Sequence, residues 1–484
     1  METGLTTMQL NPLPTLFKFD RQLPVYNWSY PFEEMGKKMA DPLSVFSQIE
    51  PQPRRRALYF HIPFCDTICS FCPFVRGTFE SEDEVDRYVR ALLREIEIKH
   101  QYSATTSSPI DCIFFGGGTP SVLRAEHFYQ LGEALHRYFD LSQLKEFTIE
   151  CEVKSVTLEK LRAFQEIGVN RISFGVQTLN PVYRELFNMT ATVEQIRQVA
   201  EWVNERFPYT NVDLIYGMAG QTLDDFLTDV DRVNELQMTT VDYYPLNNAV
   251  SQLRLHRAFA ERGMKPLSAN TKLSYRMFLN EYLRAQGYVP TNGYSFTRSK
   301  SSVGAPRVIV ERSGPLFLYH DIFYGYADDY IDGYGSNALS TLGSHLVHNI
   351  ENREQYAVRL LGNKHQPWLR AYSNFNVASK GVIYFPYRGV LEKSRIAWDK
   401  VYPESRAMLE ESVKAGLAVD HDDVYEITEA GWLFYVNYIY SLMSHDEQSM
   451  LSSMIEHLYT QGRKPDNLVF FPPHRSIVPA RMAI

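Results

Sequence analysis

Cysteine is scarce. The chain of 484 residues has five, Cys65, Cys69, Cys72, Cys112 and Cys151, which is too few for a disulfide framework. Positive charge is not in excess either. Lys and Arg number 49 against 57 Asp and Glu, a net charge of −8, so no field favours a polyanion and no nucleic-acid partner is expected. Long apolar runs are also missing. Trp432–Met443 is broken by Asn437 and Ser441 and falls short of the ~20 residues that span a bilayer. METGLTTMQLNPLPTLFKFD lacks the basic start and apolar run of a secretory signal. The expectation is a cytoplasmic protein with no membrane partner. No internal repeat or low-complexity block is visible. Ordinary globular usage remains, 44% hydrophobic and 22% charged, in a chain long enough for roughly three domains of ~150 residues.

Residues 1–53 are rich in Pro and aromatics and read as an N-terminal arm. Six strands then alternate with helices: Arg56–Ile62, Cys112–Phe115, Phe147–Val153, Val169–Val176, Asn211–Tyr216 and Val241–Leu246. Helix starts are marked at Ser81-Glu82-Asp83-Glu84, Ser121, Thr157, Thr192–Gln195 and Thr222. Strict alternation means βα units and a parallel sheet. Six units over 54–280 predict an α/β fold, a partial (β/α)6 barrel with its chemistry at the strands' C-terminal ends. Residues 281–400 form an aromatic-rich, substrate-side extension. Residues 401–484 read as a helical, winged-helix-like domain: a helix over Arg406–Gly416, a two-stranded wing over Leu417–Thr428, and a helix over Glu429–Met443.

The informative feature is Cys65-Asp66-Thr67-Ile68-Cys69-Ser70-Phe71-Cys72, a C-x3-C-x2-C loop directly after a strand. Three thiolates this close suit a 4Fe–4S cluster, with one iron left open. The alternative is structural zinc, which wants four ligands, usually as two separated pairs. A fourth would have to be Cys112 or Cys151, and each falls in a predicted strand.

Tyr59–Cys65 with Cys69 and Cys72 resembles the radical S-adenosylmethionine (SAM) superfamily. More narrowly it is similar to the branch containing oxygen-independent coproporphyrinogen oxidase (HemN). The resemblance continues through Phe115–Pro120, Thr148–Glu150, Arg171–Gln177 and Asp213–Gly217, then loosely at Gly333–Ser340, Gly416 and Thr428–Gly431. It implies a radical SAM barrel and a C-terminal domain of the HemN type. Cys65, Cys69 and Cys72 would ligate a 4Fe–4S cluster whose open iron binds SAM. Reductive cleavage of SAM would give a 5′-deoxyadenosyl radical that abstracts hydrogen. Gly116, Gly117 and Gly118, with Thr119, would hold SAM's amino group, since glycine lets the backbone approach closely. Glu150 would accept the ribose hydroxyls; otherwise it is a buried ion-pair partner. Tyr59 and Phe71 would touch methionine or adenine, or simply pack. Gln177 and Asp213 match a second SAM site, or else satisfy each other, as buried polar groups must. A flavodoxin or ferredoxin is the implied electron donor.

Coproporphyrinogen oxidases carry a further cysteine two positions after the third; here Phe74 stands there. Heme-chaperone relatives share an aromatic at that position but lack an arm like residues 1–53. The subset most similar in its loop comprises class C radical SAM methyltransferases, cyclopropane-forming enzymes and anaerobic heme-opening methyltransferases. The expectation is therefore a two-SAM enzyme that transfers a C1 unit, by methylation or cyclopropanation, to an unsaturated carbon of a flat small molecule. Asp213 and Gln177 are its candidate catalytic residues. The alternatives are porphyrin or heme chemistry, and heme binding and delivery. The 31 Tyr and 29 Phe suit an aromatic pocket or ordinary packing. His320, His345 and His348 are candidate axial ligands for a heme, although a lone histidine is more often structural. Arg54–Arg56 reads as a solvated edge or as a partner for propionates.

Overall fold

The computed structural model describes residues 30–49, 53–72, 74–102, 108–246, 253–298, 317–362 and 367–460. Most of the arm, residue 73 of the cysteine loop and the last 24 residues lie outside the described residues. The expected βα alternation is present. Strands β2 (Arg55–Ile62), β3 (Cys112–Gly117), β4 (Glu146–Cys151), β5 (Arg171–Gln177), β6 (Tyr209–Tyr216) and β7 (Thr240–Pro245) pair in parallel and in sequence order, with helices between them. The helices start where the caps predict except at Ser121, which lies in a 3-10 turn (Pro120–Val122); the helix there begins at Ala125, after Arg124. Thr192 with Gln195 and Thr222 with Asp225 form reciprocal capping boxes, and the Thr157 side chain accepts from Lys160 N–H. At Ser81 the box is offset: Glu84 N–H donates to Ser81 Oγ, while the Glu84 carboxylate accepts from Glu80 N–H.

The sheet extends further than the sequence pattern indicates. The arm adds β1 (Lys37–Lys38). The segment after β7 adds β8 (Tyr288–Pro290), β9 (Ser295–Arg298), β10 (Asp329–Tyr334), β11 (Leu339–Leu342), β12 (His345–Asn349) and β13 (Leu369–Ser373). The order is β1-β13-β12-β11-β10-β2-β3-β4-β5-β6-β7-β9-β8, an open sheet rather than a closed barrel. β10 is a seventh parallel strand beside β2. Its sequence, DYIDGY, does not read as a core strand, yet all six residues are buried. Its acids are neutralised in place. Asp329 binds Arg55 and Arg395, and Asp332 binds Arg56. This corrects the reading of Arg54–Arg56 as a solvated edge: Arg56 is fully buried, and Arg55 bridges Asp321 and Asp329. A buried charge is tolerated only when paired in this way.

The short helix Leu318–Phe323 packs on β2 and β3 inside the curve of the sheet. Toward the C-terminus, the helix Pro403–Lys414 forms as expected, but the wing has three strands. β14 (Val390–Glu392) joins β15 (Ala418–Asp420) and β16 (Val424–Ile427) in the order β14-β16-β15. The helix expected over Glu429–Met443 is two helices, Glu429–Leu433 and Tyr435–Leu442, divided at Phe434. This region has its own core around Tyr384, Phe385, Trp432 and Tyr438, and Tyr30 of the arm belongs to it, donating to Glu447 at 2.6 Å. Among the described residues, no helix is long and apolar enough to cross a membrane.

Candidate active site

The chain leaves β2 through Pro63 and Phe64 and enters the cysteine loop. The loop's ends are tied together: Cys65 N–H donates to Gly77 O at 3.0 Å, and Gly77 N–H donates to Pro63 O at 2.9 Å. Its middle is tied to the turn beyond β5. Ser70 N–H donates to Phe187 O, Ser70 Oγ to Leu186 O, and Asn188 Nδ2 to Ile68 O. Phe71 packs on Phe187, with ring centroids 4.9 Å apart. Backbone bonds therefore shape the loop, and the thiols are spare. Cys65 Sγ accepts from Thr119 Oγ1 at 3.4 Å, and the Cys69 thiol donates to Met189 Sδ at 3.8 Å. Burial raises all three thiols, Cys69 to about 12. Desolvated thiols become ligands only when a metal replaces the proton. No three His, Cys, Asp or Glu side chains among the described residues are arranged to share one metal ion. A mononuclear zinc site needs that convergence, whereas in a cubane each thiolate binds its own iron. The loop fits the cluster.

β3 ends beside the loop in Gly116–Gly118. Gly117 has φ +110°, a region that only glycine enters cheaply. A Cβ on Gly116 would meet Glu150 Oε2 at 2.8 Å, and one on Gly118 would meet Phe64 O at 2.6 Å. Gly118 and Thr119 N–H donate to Ile62 O and Phe64 O, at 2.8 and 2.7 Å. The turn is thus stitched to the exit of β2.

Glu150, on β4, accepts from Gly117 N–H, and burial pushes its carboxyl up to about 7. It has no ion-pair partner within salt-bridge reach, so the ion-pair alternative does not hold among the described residues. A carboxyl whose pKa is raised by burial weakens the fold as pH rises above its unfolded value. The cost is absent below about 4.5, grows as pH rises to about 7, and is constant beyond. Glu150→Gln is therefore expected to stabilise the metal-free protein at pH 8 by about 2–3 kcal/mol and to have little effect at pH 4.5, as read by urea denaturation at both pH values.

Gln177 ends β5 with φ +64°, at a register shift between Gly175 and Gln177. A non-glycine residue held there is strained, and such strain concentrates at functional sites. Its side chain folds back over Gly175. Among the described residues it makes no hydrogen bond to Asp213, which corrects the alternative that the two merely pair. Asp213 accepts from Asn211 Nδ2 at 2.8 Å and lies in register with Asp242 of β7. Burial raises both carboxyls, and repulsion from Asp242 adds to the rise at Asp213. Two such neighbours share a proton and titrate as a pair. Asp242 went unnoticed in the sequence. The signal was present: two acids at matched positions on successive strands face the same side.

Tyr59, on β2, shares a hydrogen bond with His61 Nδ1 at 2.9 Å and lies nearly parallel to Phe114 and Tyr319. Phe114 and Tyr319 stack at 4.4 Å and 10°. A separate charged cleft of about 1130 Å³, lined by Gly77, Glu84, Arg124 and Arg353 among others, holds none of the candidate site residues.

An open parallel sheet with a three-cysteine loop at the end of its first parallel strand and three glycines at the end of the next has the arrangement of the radical SAM fold. Residues 59–233 match the family model described as the radical SAM superfamily, whose members use a 4Fe–4S cluster and SAM. The chain resembles relatives that include heme chaperones, an anaerobilin synthase and oxygen-independent coproporphyrinogen oxidases. It is 31% identical over 238 residues to the heme chaperone HemW of Lactococcus lactis, covering 49% of this chain and 59% of that protein. It is 35% identical over 196 residues to anaerobilin synthase of Escherichia coli O157:H7, covering 40% and 44%. It is 27% identical over 349 residues to the oxygen-independent coproporphyrinogen III oxidase of Salmonella typhimurium, covering 71% and 74%. The chain thus spans about half the length of the first two relatives. The fold is that of the coproporphyrinogen III oxidase (HemN) structure from Escherichia coli: TM-score 0.70 at 23% identity, over 86% of this chain and 96% of that one.

Proposed function

We propose that this protein is a cytoplasmic radical SAM enzyme acting on a tetrapyrrole. Cys65, Cys69 and Cys72 hold the cluster. Gly116–Gly118, Thr119 and Glu150 hold SAM, and Gln177 with Asp213 hold a second SAM. A flavodoxin or ferredoxin supplies electrons. When bound, the cluster and SAM supply a 5′-deoxyadenosyl radical that abstracts hydrogen. The observation that carries the substrate is the layer of parallel rings inside the sheet, Tyr59, Phe114 and Tyr319, with Phe317 stacked on His320 at 3.8 Å. A flat macrocycle is the ligand such a face accommodates. The names of the relatives (coproporphyrinogen oxidase, heme chaperone, anaerobilin synthase) support the same class and favour it over C1 transfer to an unrelated natural product.

Of the three histidines considered, His320 suits a tetrapyrrole best. Its Nδ1 lies 2.9 Å from the hydroxyls of both Tyr294 and Tyr387, which leaves Nε2 without a partner among the described residues. Burial lowers its pKa to about 3, so the ring stays neutral, the form that binds a metal. His348, in contrast, is held by Glu33 and Asn337.

A second reading, C1 transfer, draws on Phe74 in place of a further cysteine and joins the first if the acceptor carbon belongs to the tetrapyrrole. Anaerobic turnover with SAM deuterated at its methyl group, given coproporphyrinogen III or heme, tests both. Deuterium in the tetrapyrrole, with 5′-deoxyadenosine and S-adenosylhomocysteine, is the result for C1 transfer. Unlabelled, decarboxylated product is the result for oxidation. Tight heme binding with little SAM cleavage points to delivery. If neither tetrapyrrole is bound or consumed, the proposal fails.

A further inference from the structure

β6 carries Asp213 and ends at Tyr216. Its exit is made by Gly217, at φ +76°. Gly217 and Met218 N–H both donate to Gln221 Oε1, at 2.8 and 3.3 Å. Those two bonds fix which end of the amide is oxygen, and they leave Gln221 Nε2 buried with no acceptor, on a residue only 2% exposed. Against the same glycine lies Lys272, in the first turn of the helix Ala269–Ala285. Its stem carbons stand 3.2–3.3 Å from where a Cβ on Gly217 would sit. Lys272 is nine-tenths buried, yet it has no hydrogen-bond or ion-pair partner among the described residues.

An ammonium on a side chain held nine-tenths out of water, with no partner, is costly. Lys99, more deeply buried, donates to Glu95 and to Gly333 O. Arg276, one turn beyond Lys272, donates to Gly293 O. Burial alone lowers the Lys272 pKa, to about 8, with no acid near enough to oppose it. One glycine at the rim that carries the candidate site is thus held through the oxygen of a side chain whose amide nitrogen is unmet, and is packed by the stem of an unpaired lysine.

We infer that Lys272 and Gln221 form a carboxylate-binding corner of the active site. A carboxylate offers two acceptor oxygens and the missing negative charge. Two sources meet that description at this rim: a propionate of the tetrapyrrole and the methionyl carboxylate of SAM. The first source rests on the tetrapyrrole reading; the corner itself does not.

The test uses the anaerobically reconstituted holoprotein with Lys272→Met, Lys272→Arg and Gln221→Glu. Gln221→Glu keeps the oxygen that accepts from Gly217 and removes the free donor. Coproporphyrin and its methyl ester are titrated by fluorescence quenching, and SAM by equilibrium dialysis. With a propionate in the corner, the wild type binds the free acid at least about tenfold more tightly than the ester. Lys272→Met and Gln221→Glu lose that preference, and Lys272→Arg retains most of it. With SAM as the source, the same two variants lose about tenfold in SAM binding, even if the wild type ignores both porphyrins, an outcome that sinks the tetrapyrrole reading alone. Lys272→Met is also expected to melt at a higher temperature than the wild type, because it removes an unpaired buried charge. If both variants bind acid, ester and SAM as the wild type does, the corner is overturned, whichever porphyrin is bound.

Discussion

Cys69→Ala protein is expected to purify folded but without iron–sulfur absorbance, with iron falling from about four per chain to near zero, and to release no 5′-deoxyadenosine above background. Three ligands are the minimum in this loop. With one removed, two thiolates remain for a cluster that also leaves an iron open to SAM. The fold does not depend on the thiol. Among the described residues its one bond is the weak contact to Met189, while the loop is held by Cys65 and Gly77 backbone bonds, by Ser70 and by Asn188. Cys112→Ala is the control. Cys112 is fully buried on β3, and its thiol donates to Glu146 at 3.7 Å. Its loss is expected to cost about 1–2 kcal/mol of stability and to leave the iron content unchanged. Loss of cluster in both variants alike would mean that packing, not ligation, is what Cys69 provides. Iron assay, absorbance and urea denaturation separate the cases.

The parallel half of the fold was legible in the sequence because its strands are short apolar runs and helices such as those after Thr157, Thr192 and Thr222 begin at threonine caps; the expected start at Ser121 was not met, since that helix begins after Arg124. β10 was not, because its acids conceal it. Asp329 and Asp332 look like loop residues until Arg55, Arg56 and Arg395 are folded against them, and those contacts span more than 60 residues of chain. Antiparallel β11–β13 were lost for a related reason: His345, His348 and Arg370 interrupt the apolar alternation. In the site, the residues that announce themselves are those with unusual local spacing, namely the cysteines and the three glycines. The residues that act in pairs across strands were invisible singly. Asp242 has meaning only beside Asp213, Lys272 only beside Gly217, and the strain at Gln177 is a backbone angle that no residue name reveals.

Gly118→Ala is expected to lower stability by about 2–4 kcal/mol and to abolish SAM binding in whatever protein remains folded. The added methyl would stand 2.6 Å from Phe64 O, 2.9 Å from Ile62 O and 3.0 Å from Phe64 N. All three are backbone atoms, so no side chain can swing away to relieve the contact. The ends of β2 and β3 must part instead, which stretches the bonds from Gly118 N–H to Ile62 O and from Thr119 N–H to Phe64 O. Cys65 follows Phe64 directly, and Thr119 Oγ1 donates to its sulfur, so the same displacement moves a cluster ligand. Gly168→Ala separates this effect from backbone strain. Gly168 has φ +94°, but its Cβ would meet nothing within 4 Å; only the conformational penalty of roughly 1–2 kcal/mol remains. Urea denaturation should therefore show both variants weakened, while SAM binding by equilibrium dialysis should fail in Gly118→Ala alone. Wild-type SAM affinity in Gly118→Ala would show that the turn yields without disturbing the cradle, and that the stitching of β3 to the exit of β2 does not position the ligand.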